Sequence, residues 1–140
     1  MNSILAPVVL LVLWTLVMLV WGVSLRVAMS RSAGDGDPNF GKRMAEAGEV
    51  LPAVSQYKID NYNHLTEQPT LFYAIALTLA VLDAGSGINF VLAWTYVGLR
   101  IVHSLIHATT NHVMVRFTFF ALATIPLVWL AINAALLVRW

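Results

Sequence analysis

The sequence predicts an all-α integral membrane protein, a bundle of four transmembrane helices, on three observations. Of 140 residues 59% are apolar and only 11% charged, with a mean hydropathy of +0.77, which is more apolar surface than one small soluble core can hide. The apolar residues gather in four long runs instead of alternating over about ten residues, as the strands of a membrane barrel would. The polar residues inside one of those runs recur at helical spacing.

Crossing a hydrocarbon core of about 30 Å takes about 20 residues of helix. Ile4 to Leu25 carries no charge and forms the first span. It has neither the basic n-region nor the short apolar core of a signal peptide, so it reads as a retained helix. A loop follows over about 26–64. Within it, Ser30 to Asn39 contains Gly34, Asp35, Gly36, Asp37 and Pro38, a turn and linker composition, and Phe40 to Ala47 suits a short helix. Helix resumes from Leu51, giving the second span, Thr66 to Leu82, a polar extension that carries Tyr57, Lys58, Asp60, Asn61, Asn63 and His64. Asp83 to Gly87 is a tight turn, and Ile88 to Thr109 is the third span. After a short connection at Thr110 to Val115, Phe117 to Val138 forms the fourth, bracketed by Arg116 and Arg139. The chain has no internal repeat and reads as a single domain over 1–140.

Arg26, Arg31, Lys42, Arg43 and Lys58 lie in the first connection and none lies in the Asp83 to Gly87 turn, so the positive-inside rule places the long loop in the cytoplasm. Both termini then face the opposite side, and the 110–115 connection returns to the cytoplasmic side. Trp21, Trp94 and Trp140 suit interfacial anchoring, whereas Trp14 and Trp129 lie too deep for it. The absence of cysteine excludes a disulfide framework and a thiol nucleophile in the protein. A formal charge of +1 without a basic stripe outside the spans gives no footprint for nucleic acid.

The third span holds the chemistry. Tyr96, Arg100, His103 and His107 follow one another at spacings of four, three and four, which puts them on one helix face. A charged side chain near the bilayer centre costs at least about 2.5–3.5 kcal/mol on insertion scales, so an arginine there faces protein or a wet cavity. Arg100 lies about ten residues from the cytoplasmic end, roughly 15 Å of helix, and hence near the midplane. His103 and His107 climb from it, while Glu67 and Arg116 enter from the same side, so five ionisable groups converge. A structural account pairs Arg100 with Glu67 or with a backbone carbonyl and fixes helix packing. A functional account makes the cluster an anion site, where two arginines in a low-dielectric cleft hold carboxylates and stabilise a thiolate. A water-soluble anionic cosubstrate would enter from the cytoplasm and an apolar substrate from the lipid. His103 and His107 have the spacing of two imidazoles sharing an ion, but no cysteine is near and Glu67 has arginine as a rival partner, so no metal site is expected. A proton pathway along the stripe lacks a polar continuation past Tyr96.

The string Glu67-Gln68-Pro69-Thr70-Leu71-Phe72-Tyr73, then Leu99-Arg100-Ile101-Val102-His103-Ser104-Leu105-Ile106-His107, then Arg116 followed by Leu122-Ala123-Thr124-Ile125-Pro126, resembles the membrane-associated proteins in eicosanoid and glutathione metabolism, the MAPEG family. The resemblance is to their small bacterial members and runs from about Asn61 to the C-terminus. It implies a homotrimer of four-helix protomers in a bacterial inner membrane, with glutathione as cosubstrate bound between neighbouring subunits near the cytoplasmic face. Arg116 matches the arginine that activates the thiolate. Glu67, Arg100 and His103 match positions that bind glutathione or order the site, and His64, Asn63, Tyr96 and His107 join them as binding candidates. The implied reactions are conjugation of glutathione to a lipophilic electrophile, reduction of a lipid hydroperoxide, or isomerisation of an endoperoxide. The departures are Asp60 where catalytic members carry arginine, His64 where they carry asparagine, His107 where a tyrosine is expected, and Phe117 where some have serine. The alternative is a non-catalytic trimeric membrane protein that binds lipid or serves as an accessory subunit of a larger membrane complex. Ala74, Ala76, Ala80, Gly98 and Ala108 would allow close helix contacts in either case.

Overall fold

The computed structural model describes residues 4–32 and 53–138, and its regular elements are all helices: α1 (Leu5–Ser32), α2 (Ala53–Val81), α3 (Ile88–Ala108) and α4 (Val113–Leu137). Three of them, α1, α3 and α4, are long and apolar enough to cross a membrane. The segment predicted as the second span lies in the second half of α2, whose first half carries the polar residues from Tyr57 to Gln68 expected there. Two boundaries differ from the sequence reading. α1 continues past Leu25 to Ser32, and α4 begins at Val113, so Arg116 belongs to its first turn, with its N–H donating to the His112 carbonyl. Most of the linker and the short helix expected at Phe40 to Ala47 lie outside the described residues.

α3 is the hub of the bundle, packing against α1, α2 and most closely α4. Its inward face reads Asn89, Leu92, Ala93, Tyr96, Val97, Arg100, His103, Ser104, His107 and Ala108, all buried at helical spacing. Leu11 and Met18 of α1, Phe72, Ala76 and Leu79 of α2, and Ala123, Leu127 and Leu130 of α4 complete the core. Ala76, Ala80 and Ala108 lie on contact faces as their size predicts, whereas Ala74 and Gly98 point outward. Apolar side chains also cover the outside, including Val9, Leu13, Ile125 and Ile132, as contact with lipid tails requires.

The α2–α3 end is closed by backbone geometry. Asp83 takes a left-handed conformation (φ 54°) and the Asp83 and Ala84 N–H groups donate back to Ala80 and Leu79 at 3.2 and 2.8 Å, a Schellman closure of α2. Gly85 accepts from the Ile4 N–H at 3.0 Å, tying the start of α1 to this turn. Asn133 of α4 donates to Asn89 Oδ1 at 2.7 Å, and Asn89 Nδ2 donates to the Ala84 carbonyl at 2.9 Å. These bonds tie α1, α2, α3 and α4 together at this end of the bundle.

Candidate functional site in the helix bundle

Pro69 sits inside α2 and is buried, and it lacks the N–H that would reach the Leu65 carbonyl four residues earlier. One residue before Leu65, the His64 carbonyl accepts a hydrogen bond from Arg100 Nη2 at 2.9 Å. Of the two partners the sequence offers Arg100, the structure thus selects the backbone carbonyl. Glu67 is instead turned outward, its side chain 69% exposed and its Oε2 3.4 Å from His64 Nδ1. The Arg100 guanidinium lies 5.8 Å from the centre of the Phe120 ring, within cation–π range. Arg100 itself is 0% exposed, and its Nε and Nη1 have no hydrogen-bond partner among the described residues.

The rest of the stripe is equally enclosed. Tyr96 is stacked on Phe72 with ring centres 4.5 Å apart, and its hydroxyl has no partner among the described residues. His103 Nδ1 meets the Arg116 backbone carbonyl at 2.9 Å. A carbonyl only accepts, so Nδ1 carries the hydrogen and, in the neutral ring, Nε2 keeps a lone pair. That Nε2 is buried and also without a partner among the described residues. His107 packs between two other imidazoles, with ring centres 5.1 Å from His64 and 6.0 Å from His103. Arg116 Nη1 donates to Asn111 Oδ1 at 2.7 Å, and its charge bears on both His103 and His107, as does that of Arg100.

The structure therefore brings together Arg100, His103, His107, His64, Tyr96 and Arg116, with Glu67 at the rim. Asn63 stands apart, exposed on α2, with its carbonyl accepting from Thr66 Oγ1. Among the described residues no group of three or more potential metal ligands forms.

Sequence reasoning did not identify a polar node beside the stripe. Ser104 Oγ accepts from Trp14 Nε1 at 3.0 Å and from Asn61 Nδ2 at 2.8 Å, joining α1, α2 and α3 at one hydroxyl. The available signal was Trp14 itself: an indole N–H deep in an apolar span needs an acceptor from another helix. Ser104→Ala should orphan both donors in the interior and destabilise the protein by about 1–3 kcal/mol. Thermal melting in detergent measures this as a lowered midpoint, and an unchanged midpoint would show that the node contributes nothing.

A model of the MAPEG family matches residues 4–136, almost the whole chain. The chain belongs to the MAPEG family. No curated protein and no solved structure matches it. MAPEG membership and the three apolar helices make it an integral membrane protein, in a family tied to glutathione-related and lipid metabolism. In this MAPEG protein the cluster on α3 holds buried donors and a buried acceptor without a partner among the described residues, and such groups call for a polar partner.

Proposed function

We propose that the protein is a glutathione-dependent membrane enzyme of the transferase or peroxidase type. It acts on a lipophilic electrophile or a lipid hydroperoxide in the cytoplasmic half of a bacterial inner membrane, as a homotrimer with the 26–64 segment cytoplasmic and both termini opposite. The observation that carries this reading is Arg100, a fully buried guanidinium with two N–H groups unpartnered among the described residues, in a MAPEG chain whose second arginine bears on the same imidazoles.

The donor set fits the cosubstrate. Glutathione carries two carboxylates, an ammonium and a thiol, and supplies the nucleophilic sulfur when bound. Arg100 and the part of Arg116 not engaged by Asn111 would hold carboxylate and thiolate charge, and Glu67 at the rim would hold the ammonium. Arg116, in the first turn of α4, also has the helix N-terminus beside it, which favours negative charge there. The half-buried Asp60 on α2 opposes an anion.

The non-catalytic alternative has one observation in its favour: the His64 carbonyl and the Phe120 face already accommodate part of the Arg100 charge. Titration calorimetry with glutathione on the detergent-purified protein separates the two. Saturable binding is the expected result, and no heat at millimolar glutathione would overturn the enzyme assignment.

A further inference from the structure

Three imidazoles and a carboxylate lie in sequence between the buried end of the cluster and its rim. His103 is 3% exposed and His107 1%, whereas the His64 side chain is 45% exposed and that of Glu67 69%. The contacts run His103 to His107 at 6.0 Å between ring centres, His107 to His64 at 5.1 Å, and His64 Nδ1 to Glu67 Oε2 at 3.4 Å. The buried end presents a lone pair, because the Arg116 carbonyl fixes the hydrogen of His103 on Nδ1. His107 Nδ1, in the middle, has no partner among the described residues either.

We infer that His103, His107, His64 and Glu67 form a proton relay that takes the thiol proton of bound glutathione from the buried site to the rim. The inference rests on the glutathione reading above and adds a route for the proton that a thiolate leaves behind. The S–H bond breaks with its electron pair remaining on sulfur, and the proton forms an N–H bond at His103 Nε2. His103 then gives a proton to His107, His107 to His64, and His64 to Glu67 or to water, so that each imidazole returns to neutrality. At these ring separations each transfer passes by ring rotation or through one bridging water.

The surroundings give the relay its direction. Arg100 of α3 and Arg116 of α4 act on both buried rings, and His64 of α2 faces them from the rim. Two fixed cations near His103 and His107 repel a proton held there. The carboxylate of Glu67, at the opposite end, attracts it. Thiolate and proton are thus separated towards the charges that suit them.

Two measurements test this. In the ligand-free protein, nitrogen NMR of the histidine rings should show His103 as the Nδ1–H tautomer, and an Nε2–H tautomer would overturn the relay. In stopped-flow mixing at saturating glutathione, thiolate absorbance should rise about a hundredfold more slowly in His64→Gln and His107→Gln, the scale of one lost acid–base group. Free imidazole in the medium should restore the rate of His64→Gln, whose ring stands at the exposed end. A wild-type rate at saturation in both variants, or a slowed His64→Gln that imidazole leaves unchanged, overturns the relay alone. Failure of the wild type to bind or ionise glutathione overturns the glutathione reading with it.

Discussion

Arg116→Ala is expected to remove the ultraviolet absorbance of glutathione thiolate from the bound complex while the helical content stays unchanged. The substitution is clean because the part of Arg116 that organises the site is its backbone. The carbonyl that orients His103 survives in alanine, whereas the guanidinium held by Asn111 is lost. Loss of one preorganised charge donor of this kind costs about 10²–10³-fold in rate where it stabilises developing negative charge. Turnover with a lipophilic electrophile should fall by that factor. Arg116→Lys should recover only part of it, since a lysine keeps the charge but not the fork that reaches Asn111 and a thiolate together. Normal thiolate absorbance in Arg116→Ala would remove this residue from the chemistry.

Arg100→Leu is the second decisive variant, and its two effects should point in opposite directions. Folding should be little affected, because a shorter apolar side chain of comparable volume replaces a charge whose burial is costly, and such exchanges are often neutral or stabilising. Glutathione binding should weaken strongly, because truncating a buried hydrogen-bonded charge costs about 2–5 kcal/mol. At about 1.4 kcal/mol per decade, that is between one and four orders of magnitude in dissociation constant. Calorimetry reads the affinity and thermal melting the stability. If affinity is untouched and only assembly changes, the stripe on α3 is a packing device.

The α3 stripe was legible in the sequence because a period of 3.6 residues in an apolar run has one geometric meaning. Tyr96, Arg100, His103 and His107 share a face whatever the other helices do. What Arg100 touches was not legible. Glu67 and a backbone carbonyl were both chemically acceptable, and the choice depends on how α2 packs on α3, which turns the His64 carbonyl to Arg100 and the Glu67 side chain outward. The node at Ser104 was hidden for a different reason. Its partners Trp14 and Asn61 lie 90 and 43 positions away, so only the packing of α1 and α2 on α3 creates it. The polar first half of α2 was legible, with helix expected from Leu51 and found from Ala53, whereas the extension of α1 past Leu25 to Ser32 was not, because hydropathy marks where a helix is apolar and not where its backbone hydrogen bonds end. Family membership, by contrast, was legible in short strings of residues despite the departure at His107, and the family model matches residues 4–136.

The connection between α3 and α4 asks two things of a single residue. Asn111 adopts φ 49°, and its N–H caps α3 through the Ile106 carbonyl at 2.8 Å while its side-chain oxygen restrains Arg116. Glycine would make the bend with less strain but offers no oxygen, and aspartate would offer one with a negative charge that competes for the guanidinium. The residue that reverses the chain therefore also fixes where the Arg116 guanidinium stands, and loop engineering at this hairpin would amount to moving a charge.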